Sequence, residues 1–506
     1  MSASAQDPPL PYDKDGKDST ITIQGRNVET ASVTRGQMET ICDAQPVHNP
    51  NESIKTYKRR WLGVAVIVLT NVAVTWAWLS FAMVTQFAQV HFSVGASAIN
   101  WFSIVYCFTF IPFVFSSWIL SRYGIKTSLV IGALGIIVGS WIRYAGVRTA
   151  SYAGTMVGQT ILGLSQLFIV PLPPVYSQLW FSPAHRTTPT ALGTISPALG
   201  SMLGALCTPY MVTSPAALPN SILYLAIAST VISVVAFLVP SAPPTPASLN
   251  ECDPYSHITR KQHALAILRS PEFYMIAVPF MTEVGFFNAS TSLALLILMP
   301  YGFPYQLGGL LTGLQAGIGI TAGLLLAPIA DRFQIHIPVL KISQTAMAIC
   351  FIGYIWVPPS GNVAAVFAMS ILIGICCTGG LAITMEALAE ILYPIPAEFT
   401  ASIAWSVGNF LGAIFLFIMD ALRAGPNANP PFNMQDALYC QAALGIVFIL
   451  LPINLLGWFG RKDKVRYRRR HVQSSATGMA VSGDEGTRKE EIVEEIDVKG
   501  GSVKDV

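Results

Sequence analysis

Ionisable side chains are rare in the apolar stretches of this chain, and the few that occur there are where chemistry would begin. Glu283 lies in Met281-Thr-Glu-Val-Gly-Phe-Phe287, deep in the apolar run 272–299. A carboxyl in hydrocarbon is costly and marks function by default, as a counter-ion for a cation or a carrier of a coupling proton. The plainer alternative is a carboxyl kept neutral or paired inside a helix bundle. Glu386 and Glu390 are four residues apart and so share one helix face near the end of another apolar run. Arg122, Arg186 and the pair Asp331-Arg332 stand at the ends of further runs. These six residues are expected to form a gate of charges on one side of a membrane, Glu386 and Glu390 facing Arg122 or Arg186. Asp331 and Arg332 belong to the matching gate. Asp420 and Arg423 fall on one helical face and read as a surface pair.

Other chemistries find no support. The seven histidines, His48, His91, His185, His257, His263, His336 and His471, all fall in tails, links or the ends of apolar runs, so an axial haem ligand at mid-membrane is hard to find. No His-Glu-x-x-His motif is present, nor a Gly-x-Ser-x-Gly at a plausible turn. The eight cysteines are scattered without metal spacing, Cys376-Cys377 being adjacent, and buried free thiols are the simplest reading. No cofactor is called for, and an intramembrane enzyme is disfavoured.

The elements that must position these residues follow from composition. Of 506 residues, 52% are hydrophobic and 11% charged, against about 25% charged in soluble domains. Such a chain must bury its surface in lipid. A net charge of +3 leaves no basic footprint for nucleic acid. A membrane helix needs about 20 apolar residues. Spans are predicted at 61–87, 100–121, 126–146, 152–180, 188–212 and 219–240, then at 272–299, 306–330, 337–357, 362–388, 398–421 and 434–459. The organisation is a polar tail (1–57), a six-helix half (58–240), a polar Pro-rich linker (241–270), a second half (271–460) and a charged tail (461–506). Both tails are expected to be disordered. Lys and Arg gather on one side, where Lys55, Lys58, Arg59, Arg60, Arg122, Lys126, Arg186, Arg260, Arg332, Lys341 and Arg461 fall. The other side holds Arg143, Arg148 and Arg423. By the positive-inside rule both termini are cytoplasmic.

The two halves echo one another. Leu120-Ser-Arg-Tyr-Gly-Ile-Lys126 follows the second span and Ala330-Asp-Arg-Phe-Gln334 the eighth, while Trp180-Phe-Ser-Pro183 and Leu392-Tyr-Pro394 close the fourth and tenth. Repeated halves joined by a central linker build many secondary transporters, with substrate held near the midplane. Gly193, Pro197, Gly200 and Gly204 in span five permit close helix packing, and Pro197 could bend the helix. The sequons at Asn51 and Asn288 fall on the inner side and within a span, so neither is expected to carry a glycan.

Longer motifs carry a resemblance. Tyr57-Lys-Arg-Arg-Trp61, Asn100-Trp-Phe-Ser-Ile-Val-Tyr106, Gln166-Leu-Phe-Ile169, Leu179-Trp-Phe-Ser-Pro183 and Glu386-Ala-Leu-Ala-Glu-Ile-Leu-Tyr-Pro394 resemble the feline leukaemia virus subgroup C receptor family, also called solute carrier family 49, of the major facilitator superfamily. The resemblance implies an all-α membrane protein of the major facilitator fold, with twelve transmembrane helices in two six-helix halves. It implies facilitated, alternating-access transport of a choline- or ethanolamine-like cation; haem export has also been proposed for that family. The family's choline pocket uses a tryptophan, a glutamine, a tyrosine and a glutamine, which fall on Trp78, Gln166, Phe287 and Asn409. Phe287 lacks the hydroxyl and Asn409 shortens the amide arm. Ser121 also departs from the pattern, standing where an acidic residue is usual, and the family supplies no counterpart of Glu283. A quaternary ammonium has no N–H, so aromatic faces must hold it, and Trp78 and Phe287 would be two walls. The rival readings are a proton-coupled carrier of another metabolite and, in a different class, a non-transporting receptor or sensor. The expected partners are a small-molecule substrate and the lipid bilayer, with the protein a monomer. Plasma and internal membranes both fit.

Overall fold

The computed structural model describes residues 57–181, 187–243, 267–268, 271–333, 336–391 and 397–455. Both tails, most of the linker and Arg186 lie outside them. Among the described residues all regular structure is helical. The first half comprises α1 (Arg60–Leu79), α2 (Thr85–Phe92), α3 (Ala96–Phe108), α4 (Phe113–Arg148), α5 (Tyr152–Ile169), α6 (Leu172–Trp180), α7 (Thr187–Met211) and α8 (Leu218–Ala236). The second comprises α9 (Pro271–Leu298), α10 (Tyr305–Phe333), α11 (His336–Tyr354), α12 (Val363–Ile391), α13 (Ala397–Ala421), α14 (Gln435–Gly445) and α15 (Leu451–Leu455). A helix hydrogen-bonds its backbone within the segment, which meets the requirement of a lipid environment.

Ten of the described helical segments are long and apolar enough to cross a membrane. The predicted second span instead comes in two pieces, α3 and the start of α4, and the ninth is the 19-residue α11. The predicted link after span two is a sharp break inside α4, where Gly124 takes φ 83° and ψ 176°. A side chain would be strained at that positive φ, so glycine is required there. The first span is also broken: α1 stops at Leu79, a 3-10 turn spans Ala82–Val84, and α2 resumes at Thr85.

Glycines set how closely the helices approach. A methyl group on Gly135 would lie 2.1 Å from Ser165 Oγ, and one on Gly158 would lie 2.4 Å from the Arg143 backbone nitrogen. The antiparallel pair α4–α5 is thus packed backbone to backbone. Gly200 meets Val72 and Thr75, and Gly204 meets Trp76, so the glycines of the fifth span press α7 onto α1. Replacing Gly158 by alanine is expected to destabilise the first half by about 1–3 kcal/mol, because the obstacle is backbone that cannot rotate away. Thermal unfolding in detergent checks this, and an unchanged midpoint would contradict it.

The two halves meet through α7 with α10 and α3 with α13. A Cβ on Gly309 would lie 2.4 Å from the Ala205 carbonyl, while Gly313 faces Leu206 and Gly317 faces Met202. Asn100 Nδ2 donates to Asp420 Oδ1 at 2.7 Å across the seam. Ring contacts Phe87–Tyr305, Trp101–Phe417 and Phe108–Phe410 complete it at 5.3, 6.2 and 5.8 Å. These contacts run from mid-bundle to the end that carries Tyr305, and close the bundle there.

Candidate functional site

Trp78 sits in the last turn of α1, just before the break in the first span, and is 6% exposed. Its neighbour Trp76 points elsewhere, its indole Nε1 donating to Thr208 Oγ1 of α7 at 3.2 Å. Two residues two positions apart on a helix therefore serve different surfaces, and Trp78 is the one free for the interior. Tyr106 of α3 steadies this turn by donating to the Val74 carbonyl at 2.8 Å. Trp78 lies in an apolar cluster with Tyr106, Phe286, Phe415 and Leu416, against which half-buried Phe287 also packs. The cluster thus draws one candidate aromatic from each half.

Gln166 lies near the end of α5 and is buried. Its Oε1 and the Trp78 Nε1 are both buried without a hydrogen-bond partner. A donor and an acceptor left open in an apolar interior are costly, and such exceptions call for a functional reason.

In the second half, Gly285 and Gly412 let α9 and α13 touch, a Cβ on Gly285 lying 3.1 Å from the Gly412 nitrogen. That approach lets Asn288 Nδ2 donate to Asn409 Oδ1 at 3.0 Å, while Asn409 Nδ2 donates to the Trp405 carbonyl at 2.8 Å. The Asn409 amide is thus committed at both ends within its own half, and Gln166 is the candidate amide with an open acceptor.

Glu283 is 1% exposed and one turn from Phe287 on α9. Gln344 Nε2 of α11 donates to its Oε2, and the Cys377 thiol of α12 also hydrogen-bonds to it. Its Oε1 and the Gln344 Oε1 are buried and unpartnered. These partners turn the carboxyl into the second half, towards α11 and α12.

The expected gate is described only in part. Arg122 is exposed beside the Gly124 break. Asp331 and Arg332 lie in the last turn of α10, and Glu386 and Glu390 in the last two turns of α12. Arg186 falls outside the described residues.

Two residues do more than their place in the sequence implied. Asp420 is not simply a surface partner of Arg423, because it accepts the cross-seam bond from Asn100. Arg423 does feel Asp420, and its guanidinium lies 5.1 Å from the Phe432 ring; burial lowers its basicity while Asp420 opposes the shift. Arg143, counted with the charges of the outer side at the end of the span 126–146, is 1% exposed within α4. Its burial was hidden because a lone Arg near the end of a span reads as an interfacial residue.

Comparison with known proteins places this geometry. The chain matches the family description Major Facilitator Superfamily over residues 64–417. It is 26% identical over 424 residues to "Solute carrier family 49 member A3" of Danio rerio, covering 81% of this chain and 87% of that one. It is 26% identical over 374 residues to "Choline/ethanolamine transporter flvcr2a" of Danio rerio, covering 70% of this chain and 79% of the relative. The crystal structure of a D-xylose–proton symporter superposes with a TM-score of 0.58 at 14% identity, over 77% of this chain and 97% of that one, a likeness of fold alone. With a match over residues 64–417, ten described helices long and apolar enough to cross a membrane and a glycine-lined seam between α7 and α10, the chain belongs to the Major Facilitator Superfamily of multi-pass membrane transporters.

Proposed function

We propose that this protein carries a choline- or ethanolamine-like cation across a membrane by facilitated diffusion, as a single chain with both termini cytoplasmic. The observation that carries the reading is the buried open donor on Trp78, which lies in an apolar cluster against which Phe287 packs, together with the buried open acceptor on Gln166. An amino alcohol fits that set. Its methylated nitrogen takes aromatic faces, an attraction of about 2 kcal/mol or more once desolvated. Its hydroxyl donates to Gln166 Oε1 and accepts from Trp78 Nε1. The relatives named as choline/ethanolamine transporters support the same class. In this reading the Tyr305 end is the outer side and the Asn100–Asp420 bond is one clasp that must part for outward opening. The charged residues Arg122, Arg186, Asp331, Arg332, Glu386 and Glu390 close the inner side. The test is uptake of labelled choline by the purified protein in liposomes.

A second reading has one specific observation behind it. Glu283 is a buried carboxyl with one open oxygen, held by Gln344 and Cys377, where the resemblance offers no acid. If it carries a coupling proton, wild-type uptake depends on pH and on an imposed proton gradient, and Glu283→Gln removes both dependences. A wild-type profile that is flat and unaltered by the substitution would remove the proton reading and leave the facilitator.

A further inference from the structure

Arg143 is a buried cation with no carboxylate partner among the described residues. Its Nη1 donates to the Ala77 carbonyl at 2.9 Å and to Gln159 Oε1 at 3.0 Å, and its guanidinium lies 5.2 Å from the Phe81 ring centre. Ser80 Oγ donates to the same Ala77 carbonyl at 2.8 Å, and Gln159 Nε2 approaches it at 3.4 Å and the Phe102 carbonyl at 3.4 Å. Ala77 lies in the last turn of α1, which ends at Leu79, where helix carbonyls lack intrahelical donors and the helix dipole presents its negative end. A guanidinium suits that position, since it supplies several donors in a fixed plane and also stacks on an aromatic face. The helix end and the ring thus stabilise a charge that would otherwise be costly in this environment.

We infer that Arg143 is a positioning residue for the substrate site: by holding the Ala77 carbonyl together with Gln159, it fixes the break in the first span and so the placing of Trp78 against Gln166. Trp78 is the residue next to Ala77. Gln159 and Gln166 are seven apart on α5, two helical turns on one face. One hydrogen-bonded cluster therefore registers the end of α1 against α5, beside Trp78 and two helical turns from Gln166. The inference rests on the proposed role of Trp78 and Gln166 as binding residues. Arg143 itself touches carbonyl, amide and ring, and acts through them.

The test compares wild type, Arg143→Lys and Arg143→Met in liposomes, with hydrogen exchange of residues 77–84 measured on the same full-length proteins. A site loosened by a fraction of an ångström loses affinity before it loses its helices, so Arg143→Met is expected to raise the half-saturating choline concentration by about tenfold or more. Maximal rate should change by less than about threefold, since the seam between halves is untouched. Exchange at 77–84 should rise while α4 and α8 stay protected. Arg143→Lys, which keeps the charge and a donor, should restore most of the affinity, and it remains informative should the Met variant fail to fold. Unchanged half-saturation with unchanged exchange would overturn the inference, as would a fall in maximal rate alone. If the wild type takes up no choline, the substrate reading fails on its own, and the exchange comparison still decides the clamp.

Discussion

Trp78→Ala is expected to abolish choline uptake while leaving the protein folded. The substitution removes the aromatic face proposed to hold the cation, worth about 2 kcal/mol or roughly thirtyfold in affinity when desolvated. It also removes the indole N–H that has no partner within the protein. The structural cost should be smaller than for a core tryptophan with a satisfied N–H, because no internal hydrogen bond is lost. Trp78→Phe separates the two contributions: it keeps a π face and loses the donor, so uptake should be partly retained. The measurement is initial-rate uptake normalised to monodisperse protein, beside a thermal melt. Full activity in Trp78→Ala would remove the aromatic-cage model, while loss of folding in both variants would assign Trp78 to the core.

The second large effect is expected at the seam. A Cβ on Gly309 would lie 2.4 Å from the Ala205 carbonyl and 2.7 Å from Pro209 Cγ. Both obstacles are backbone or ring, so leucine at 309 must push α10 away from α7. Overpacking of this kind costs about 1–3 kcal/mol, enough to shift the balance between access states by roughly 5- to 160-fold. The halves touch here, so the cost is expected to fall on closure at the Tyr305 end. Gly309→Leu should therefore lower uptake strongly at little change in melting temperature. A cysteine placed at Phe87, beside Tyr305 at that end, should react faster with an impermeant maleimide in the Gly309→Leu background. Equal labelling and equal uptake would show that this seam does not close during the cycle.

Much of the architecture was legible from the residues. Helices immersed in lipid must be long and apolar, so hydropathy located most spans. The break at Gly124 was less legible, because the basic, Gly-bearing stretch reads equally as a loop or as a kinked helix. In the site, spacing and resemblance singled out Trp78 over Trp76, and the structure sends Trp76 to Thr208. What spacing cannot supply is the partner across a helix pair. Asn288 read only as a glycosylation sequon, yet it is the residue that occupies Asn409. Asn100 and Asp420 are 320 residues apart, and Gln344 is 61 from Glu283, so no local pattern joins either pair. The burial of Arg143 was illegible for the same reason: its partners, Ala77 and Phe81, flank a helix end whose position only packing determines.

The central claim, that this member of the superfamily moves a choline-like cation down its gradient, is tested most directly by uptake of labelled choline into liposomes holding the purified wild-type protein, with and without an imposed proton gradient. The prediction is saturable uptake that needs no proton gradient and is competed by unlabelled choline. Protein shown to be folded that takes up no choline would contradict the claim, and would point to the departures at Phe287, Asn409 and Glu283 as the places where the substrate has changed.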